Sequence, residues 1–132
     1  MPLMLDPSIK QLATAKNFGT ICVNLPNGQI ASHVMWVDAT DDHVLINTEV
    51  HRAKYKAIEA NPHVTITVWN AENPYQYGEV RGTVASEVRG PEARAHIDSL
   101  AQKYTGADYS NPIQSERVIL QIVPDRQRTM GL

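Results

Sequence analysis

Residues 19–37 read GTICVNLPNGQIASHVMWV, and the fold turns on them. Two extended runs rich in β-branched and apolar residues, Gly19 to Leu25 and Gln29 to Val37, flank Pro26-Asn27-Gly28. An Asn-Gly pair between such runs is the strongest short-range signal for a β-hairpin, because the tight turns that match strand twist need positive φ at their centre. A second turn at Asp41-Asp42 leads into a third extended run, His43 to Asn47. Three strands in succession predict an antiparallel meander.

Working outward, Ser8 to Asn17 carries Ile9, Leu12, Ala13 and Lys16 at helical spacing behind Asp6-Pro7, and Gly19 closes that helix. From Thr48 the pattern turns helical again: Glu49, Val50, Ala53, Ala57 and Ala60 recur three and four apart, Thr48 is placed to cap the first amides, and Asn61-Pro62 stops the element. His63 to Trp69 alternates as a strand, and Asn70 to Pro74 is a loop. Tyr75 to Val88 is a long strand interrupted by Gly78 and Gly82, where a bulge or bend would curve a barrel wall. Gly90-Pro91 opens a helix carrying Ala93, Ile97, Leu100, Ala101 and Tyr104 on one stripe, Gly106 ends it, and Arg117 to Val123 is the last strand. Without repeats or linkers, residues 1–132 read as one α+β domain, mainly β and antiparallel, with about six strands and three helices.

Composition narrows the function. Twelve Lys and Arg against 14 Asp and Glu leave a net charge of -2, which disfavours a nucleic-acid partner because phosphate contacts demand a basic excess. Cys22 is the only cysteine, so neither an internal disulfide nor a Cys-based zinc site exists, and a buried thiol beside Ile21 and Val23 is expected. No apolar run approaches the roughly 20 residues of a membrane helix. The segment MPLMLDPSIK lacks the charged start and apolar stretch of a signal peptide, which points to a cytoplasmic protein without a membrane partner.

The densest charge feature is His51-Arg52-Ala53-Lys54-Tyr55-Lys56. At a helix start, free amides and basic side chains together suit an anion such as phosphate. The competing reading is a solvated face paired with Glu49 and Glu59, with Arg52 and Lys56 sharing a side and Lys54 pointing elsewhere. The five histidines show no metal-ligand spacing, the serines lack a nucleophile-elbow context, and neither glycine fingerprint for nucleotides occurs. Trp36 and Trp69 are expected in the core. Tyr75 and Tyr77, two apart on one strand, are expected to face the same side and border a flat ring.

The run Ile46-Asn47-Thr48, then Arg52-Ala53-Lys54-Tyr55-Lys56 and Asn61-Pro62-His63-Val64, resembles the pyridoxamine 5′-phosphate oxidase-like split-barrel superfamily. Pro74-Tyr-Gln-Tyr77, Val80-Arg-Gly82 and the helix ending Lys103-Tyr-Thr-Gly106 are similar to its branch that uses the deazaflavin F420. The resemblance implies a split β-barrel homodimer with two cofactor sites at the subunit interface. It places Ser32, His33, Val34, Met35 and Trp36 along the tricyclic ring, Asn47, Thr48, Arg52, Lys54 and Lys56 at the phosphate and tail, and Tyr75 and Tyr77 beside the ring or substrate. His33 and Met35 depart from the residues common at those positions. The implied activity is hydride transfer between F420 and a small conjugated substrate, with Tyr77 as a possible proton donor. FMN is the alternative cofactor, in a reductase or oxidase of the same fold, and a non-catalytic cofactor- or tetrapyrrole-binding protein is a further alternative.

Overall fold

A computed structural model describes residues 4–132. Its elements run α1 (Pro7–Thr14), β1 (Phe18–Asn24), β2 (Ile30–Trp36), β3 (Asp38–Ala39), β4 (Val44–Glu49), α2 (Ala53–Ala60), β5 (His63–Trp69), β6 (Tyr77–Arg89), α3 (Pro91–Thr105) and β7 (Arg117–Met130). The seven strands form one antiparallel sheet in the order β2-β1-β5-β6-β7-β4-β3. The hairpin at Asn27-Gly28 forms as its sequence dictates, with Gly28 at φ 85°.

The three-strand meander does not. The run after Asp41-Asp42 becomes β4, which pairs with β7 and with the two-residue β3 rather than with β2. Since β2 and β3 stand at opposite ends of the sheet yet are joined through Val37 alone, the sheet must roll until its two ends meet. The covalent chain crosses the seam at Val37, and α3 clamps it. The Tyr104 hydroxyl accepts from the Val37 amide at 3.1 Å and also bonds the Asn17 carbonyl, while Lys103 Nζ donates to the Val37 carbonyl at 2.6 Å and to that of Ala13 at 3.0 Å. The Lys-Tyr pair that marks the end of α3 in the sequence therefore holds the barrel shut. Burial is the main reason the Tyr104 hydroxyl is pushed up to about 12, so it stays protonated there.

The barrel is filled by branched aliphatics, among them Ile9, Ile21, Ile46, Ile66, Leu120 and Ile122. The tryptophans expected in this core lie half-buried on the other face of the sheet. A row runs there through cross-strand partners, Trp36 to Phe18 to Trp69 to Tyr77 to Met130. Cys22 shares that outer face and is half-exposed, its Sγ 3.7 Å from Ser32 Oγ.

Helix α1 ends at Thr14 rather than Asn17, and Gly19 lies inside β1 instead of closing the helix. Three further boundaries differ from the sequence expectation. Strand β4 continues through Thr48 and Glu49, which pair with Val118 and Arg117 of β7, so α2 starts only at Ala53 and Thr48 caps nothing. Strand β6 starts at Tyr77 because Asn70 to Gln76 closes on itself, Asn70 donating to the Gln76 carbonyl at 2.9 Å. Strand β7 runs on to Met130 because β6 is long enough to pair with all of it.

The expected bulge falls at Gly82, where the ladder slips: Arg81 faces Arg126, but Gly82 faces Pro124. A Cβ there would sit 2.5 Å from the Val123 carbonyl oxygen and 2.8 Å from Ile122 Cγ2. Gly82→Ala is expected to lower stability by about 1–3 kcal/mol, because a backbone oxygen cannot swing aside as a side chain would. A urea midpoint equal to that of the unaltered protein would show that the two strands separate freely. Gly78 sits in regular ladder instead and is bare for Ile9 of α1, whose Cγ1 would lie 2.4 Å from a Cβ. Among the described residues, no helix is long and apolar enough to cross a membrane.

Candidate functional site

Where the rolled sheet meets itself, a groove of about 380 Å³ opens between β2, the start of α2 and α3. One wall is apolar and aromatic: Phe18, Val34, Met35, Trp36, Ile97 and Tyr109. Trp36 stacks on Tyr104 with ring centres 5.1 Å apart and meets Tyr109 edge-on at 6.2 Å, which fixes its indole as part of that wall. The other wall carries Asn47, Arg52, Lys54, Asn111 and Arg117.

Charge on the second wall is unbalanced. Glu49 is its buried carboxylate, 1% exposed, with Oε1 accepting from the Gln114 and Ser115 amides at 2.7 and 2.8 Å. Glu49 Oε2 lies 3.3 Å from Arg52 Nη2 and 3.4 Å from Arg117 Nη1. Burial alone would raise the Glu49 carboxyl, yet the two amides and the two guanidinium groups outweigh it and hold it below its ordinary 4.5. One negative charge thus serves both Arg52 and Arg117, while Lys54 lines the same groove.

Lys54 has no carboxylate within ion-pair distance among the described residues; its Nζ donates to the Met35 sulfur at 3.2 Å. Burial first, and then repulsion from Arg52 and Arg117, pull its ammonium down to about 8. Lys54 is therefore not part of a solvated face, whereas Lys56 is exposed and outside the groove, and Arg52 lines the groove while keeping the Glu49 pairing of the solvated-face reading. Arg117 adds an orphaned donor: Nη1 is buried and, despite lying near Glu49, makes no hydrogen bond among the described residues. Its guanidinium also lies over the Tyr109 ring at 5.2 Å. Two or three clustered cations with an unmet donor beside a flat apolar wall fit a phosphate attached to a planar ring system.

The groove unites Val34, Met35, Trp36, Asn47, Arg52 and Lys54 of the residues singled out from sequence. It leaves out the others. Ser32 and His33 lie further along the exposed edge of β2. Thr48 is fully buried, paired with Val118, and its hydroxyl has no partner among the described residues. It shares the core side with Val44 and Ile46 because strand residues alternate, so it faces away from Asn47. Tyr75 is 81% exposed in the loop before β6, so it and Tyr77 do not share a strand face. Tyr77 does share the aromatic row with Phe18 of the groove wall, two strands away, about 10 Å at ordinary strand spacing.

Sequence reasoning missed Arg117, Tyr109, Asn111, Phe18 and Ile97. The available signal for Arg117 was a charged residue opening an otherwise apolar strand, Arg117-Val-Ile-Leu120, opposite a glutamate at the end of another.

Comparison with known proteins agrees with this architecture. The family model described as pyridoxamine 5′-phosphate oxidase matches residues 5–131. A solved structure described as an F420 reductase superposes with a TM-score of 0.80 at 27% identity, over 94% of this chain and 98% of that one. A conserved hypothetical protein from Mycobacterium tuberculosis superposes at 0.75 with 22% identity, over 98% of this chain and 86% of that one. An FMN-binding protein from Syntrophomonas wolfei gives 0.69 and 15% identity, over 95% and 85%. The latter two speak for the fold alone. No curated protein matches the chain in sequence. With a rolled antiparallel sheet, a seam groove and a family match running almost end to end, the chain belongs to the pyridoxamine 5′-phosphate oxidase family.

Proposed function

We propose that the protein is a cytoplasmic, homodimeric F420-dependent oxidoreductase that moves a hydride between the deazaflavin and a small, flat, conjugated substrate. The observation that carries this reading is the pairing of Arg52 and Arg117 with one buried carboxylate, and the unpaired Lys54 in the same groove, beside the Val34–Met35–Trp36 wall. Arg52, Lys54 and Arg117 would hold the phosphate, and the β2 wall would lie along the ring. When bound, the cofactor supplies the hydride-carrying carbon, and the protein has to orient it and exclude water. That division of labour accounts for a groove rich in charge and apolar surface but lacking an acid-base pair.

F420 carries carboxylates beyond its phosphate, and Lys56, exposed on α2 outside the chain's own groove, is the cation proposed to meet them. The F420 reductase similarity favours this cofactor over FMN. F420 is expected to bind at least several-fold tighter than FMN at low salt, with the gap narrowing as salt rises, since exposed ion pairs contribute only tenths of a kcal/mol to about 1 and are screened. Fluorescence titration of both cofactors measures this. Tighter binding of FMN at every salt concentration would overturn the F420 assignment and leave the fold intact.

A second copy is proposed to complete the site. Strand β2 ends the sheet with Ile30 and Val34 more than 60% exposed, and Tyr75 stands outside the chain's own groove. Light scattering is expected to give about twice the 14.7 kDa chain mass. A monomer that binds cofactor with full affinity would refute the shared site.

A further inference from the structure

Arg117 reaches the groove from a nearly buried position, and one side-chain amide sets its direction. Asn47 Oδ1 accepts from Arg117 Nε at 2.9 Å. Asn47 Nδ2 donates to the Ala93 carbonyl of α3 at 2.9 Å and meets His96 Nδ1 at 3.1 Å. Both amide hydrogens and the oxygen are thereby used. Turning the amide over would set N–H against the guanidinium N–H and oxygen against the Ala93 carbonyl, so only one orientation is bonded throughout.

That orientation dictates the state of the histidine. Facing an N–H, His96 Nδ1 has to accept, which places the ring proton on Nε2, and Nε2 lies 3.0 Å from Asp38 Oδ2. Asp38 in turn accepts from the Ala39 amide at 2.9 Å. Burial would raise the Asp38 carboxyl, but the His96 bond, the Ala39 amide and the charge of Lys103 outweigh it and keep it ionised. The chain Asp38, His96, Asn47, Arg117 thus links β3 at the seam through α3 and β4 to β7, and each link fixes the donor direction of the next.

We propose that His96 is a positioning residue for the anion grip: held by Asp38, it fixes the Asn47 amide, which presents the Arg117 guanidinium to the groove. His96 does not line the groove, so it acts only through Asn47. The proposal rests on the reading of the groove as a phosphate site. It goes beyond that reading by assigning a task to a conventional-looking helix histidine and to the aspartate that follows the seam.

Titration of FMN and of F420, read by fluorescence, tests it, with inorganic phosphate as competitor. His96→Ala is expected to weaken both cofactors about fivefold or more, the scale of one lost hydrogen bond to a charged partner's support. His96→Asn places an amide oxygen near the Nδ1 position and is expected to recover affinity to within about twofold, since that oxygen restores the acceptor facing Asn47. In an Arg117→Ala background, His96→Ala is expected to cause no further loss, because coupled residues are not additive. Unchanged affinity in His96→Ala, equal loss in His96→Asn, or a full further loss in the Arg117→Ala background would each overturn the relay while leaving the phosphate site standing. Failure of the unaltered protein to bind FMN, F420 or phosphate would instead remove the site, and the relay with it.

Discussion

Replacing Glu49 by alanine is expected to cost the fold about 3 to 5 kcal/mol, the range for breaking a buried ion pair from one side. The carboxylate is the shared partner of two loop amides and two arginines, and Arg117 is itself buried at 5% exposure. Its removal would leave a guanidinium in the interior without its counter-charge and the Gln114 and Ser115 amides without an acceptor. Denaturant unfolding at neutral pH reads the loss directly. Glu49→Gln serves as a milder companion: it keeps an oxygen for the amides and forfeits only the charge. The folded carboxyl is held below its ordinary 4.5, so the charge-dependent part of its stabilisation is fully present above that pH and disappears as the pH falls through the depressed value. The difference between the unaltered protein and Glu49→Gln is therefore expected to shrink on acidification. A difference that stays constant down to acid unfolding would show that the charge does not matter.

Lys54→Met is expected to weaken cofactor binding by about 1.5 to 3 kcal/mol, the worth of a charge-assisted hydrogen bond, which is roughly one to two orders of magnitude in affinity. The same substitution should leave the ligand-free protein no less stable. Within the groove the ammonium is desolvated and repelled by Arg52 and Arg117, which is why it is pulled down to about 8 from an ordinary 10.5. A lysine lowered in the fold weighs against folding at every pH below its folded value, and the penalty fades between about 8 and 10.5. The methionine variant should consequently melt higher than the unaltered protein below about pH 8 and lose that advantage in alkali. Anion affinity of the unaltered protein runs the other way, strongest where Lys54 is charged and falling as the pH rises past about 8. A variant that binds cofactor normally, or one that melts lower at pH 7, would show that Lys54 serves packing instead.

How far the residues foretold this outcome depended on the range of the interaction. The Asn27-Gly28 hairpin, the alternating strand His63–Trp69 and the helix between Pro91 and Gly106 are local decisions, written in turn chemistry and periodicity, and the structure reproduces them. The place of β4 is not local. The run His43–Asn47 reads as a strand, but its neighbours are chosen by a closure between sheet ends that are far apart in pairing and adjacent in sequence at Val37. Thr48 shows the same limit on a smaller scale: as a residue before a helical pattern it reads as a cap, and only the ladder with β7 makes it a strand residue turned to the core. Arg52 and Lys54 were legible because they cluster in sequence. Arg117, more than 60 residues further on, joins them only through the pairing of β4 and β7. Tyr77 joins the outer aromatic row but does not line the groove, and the loop closure at Asn70 takes Tyr75 off the strand it was expected to share.

The seam has one further consequence, for the chain's behaviour in crowded solution. Rolling leaves β2 with one side hydrogen-bonded to β1 and the other, among the described residues, without a strand partner, over seven residues reading Ile-Ala-Ser-His-Val-Met-Trp. That segment holds no lysine, glutamate, aspartate or proline, the residues with which edge strands commonly fend off unwanted pairing. It is apolar, of high β-propensity and short enough to stack in register with itself. When the fold loosens, this unpaired edge is where intermolecular strand pairing is expected to begin.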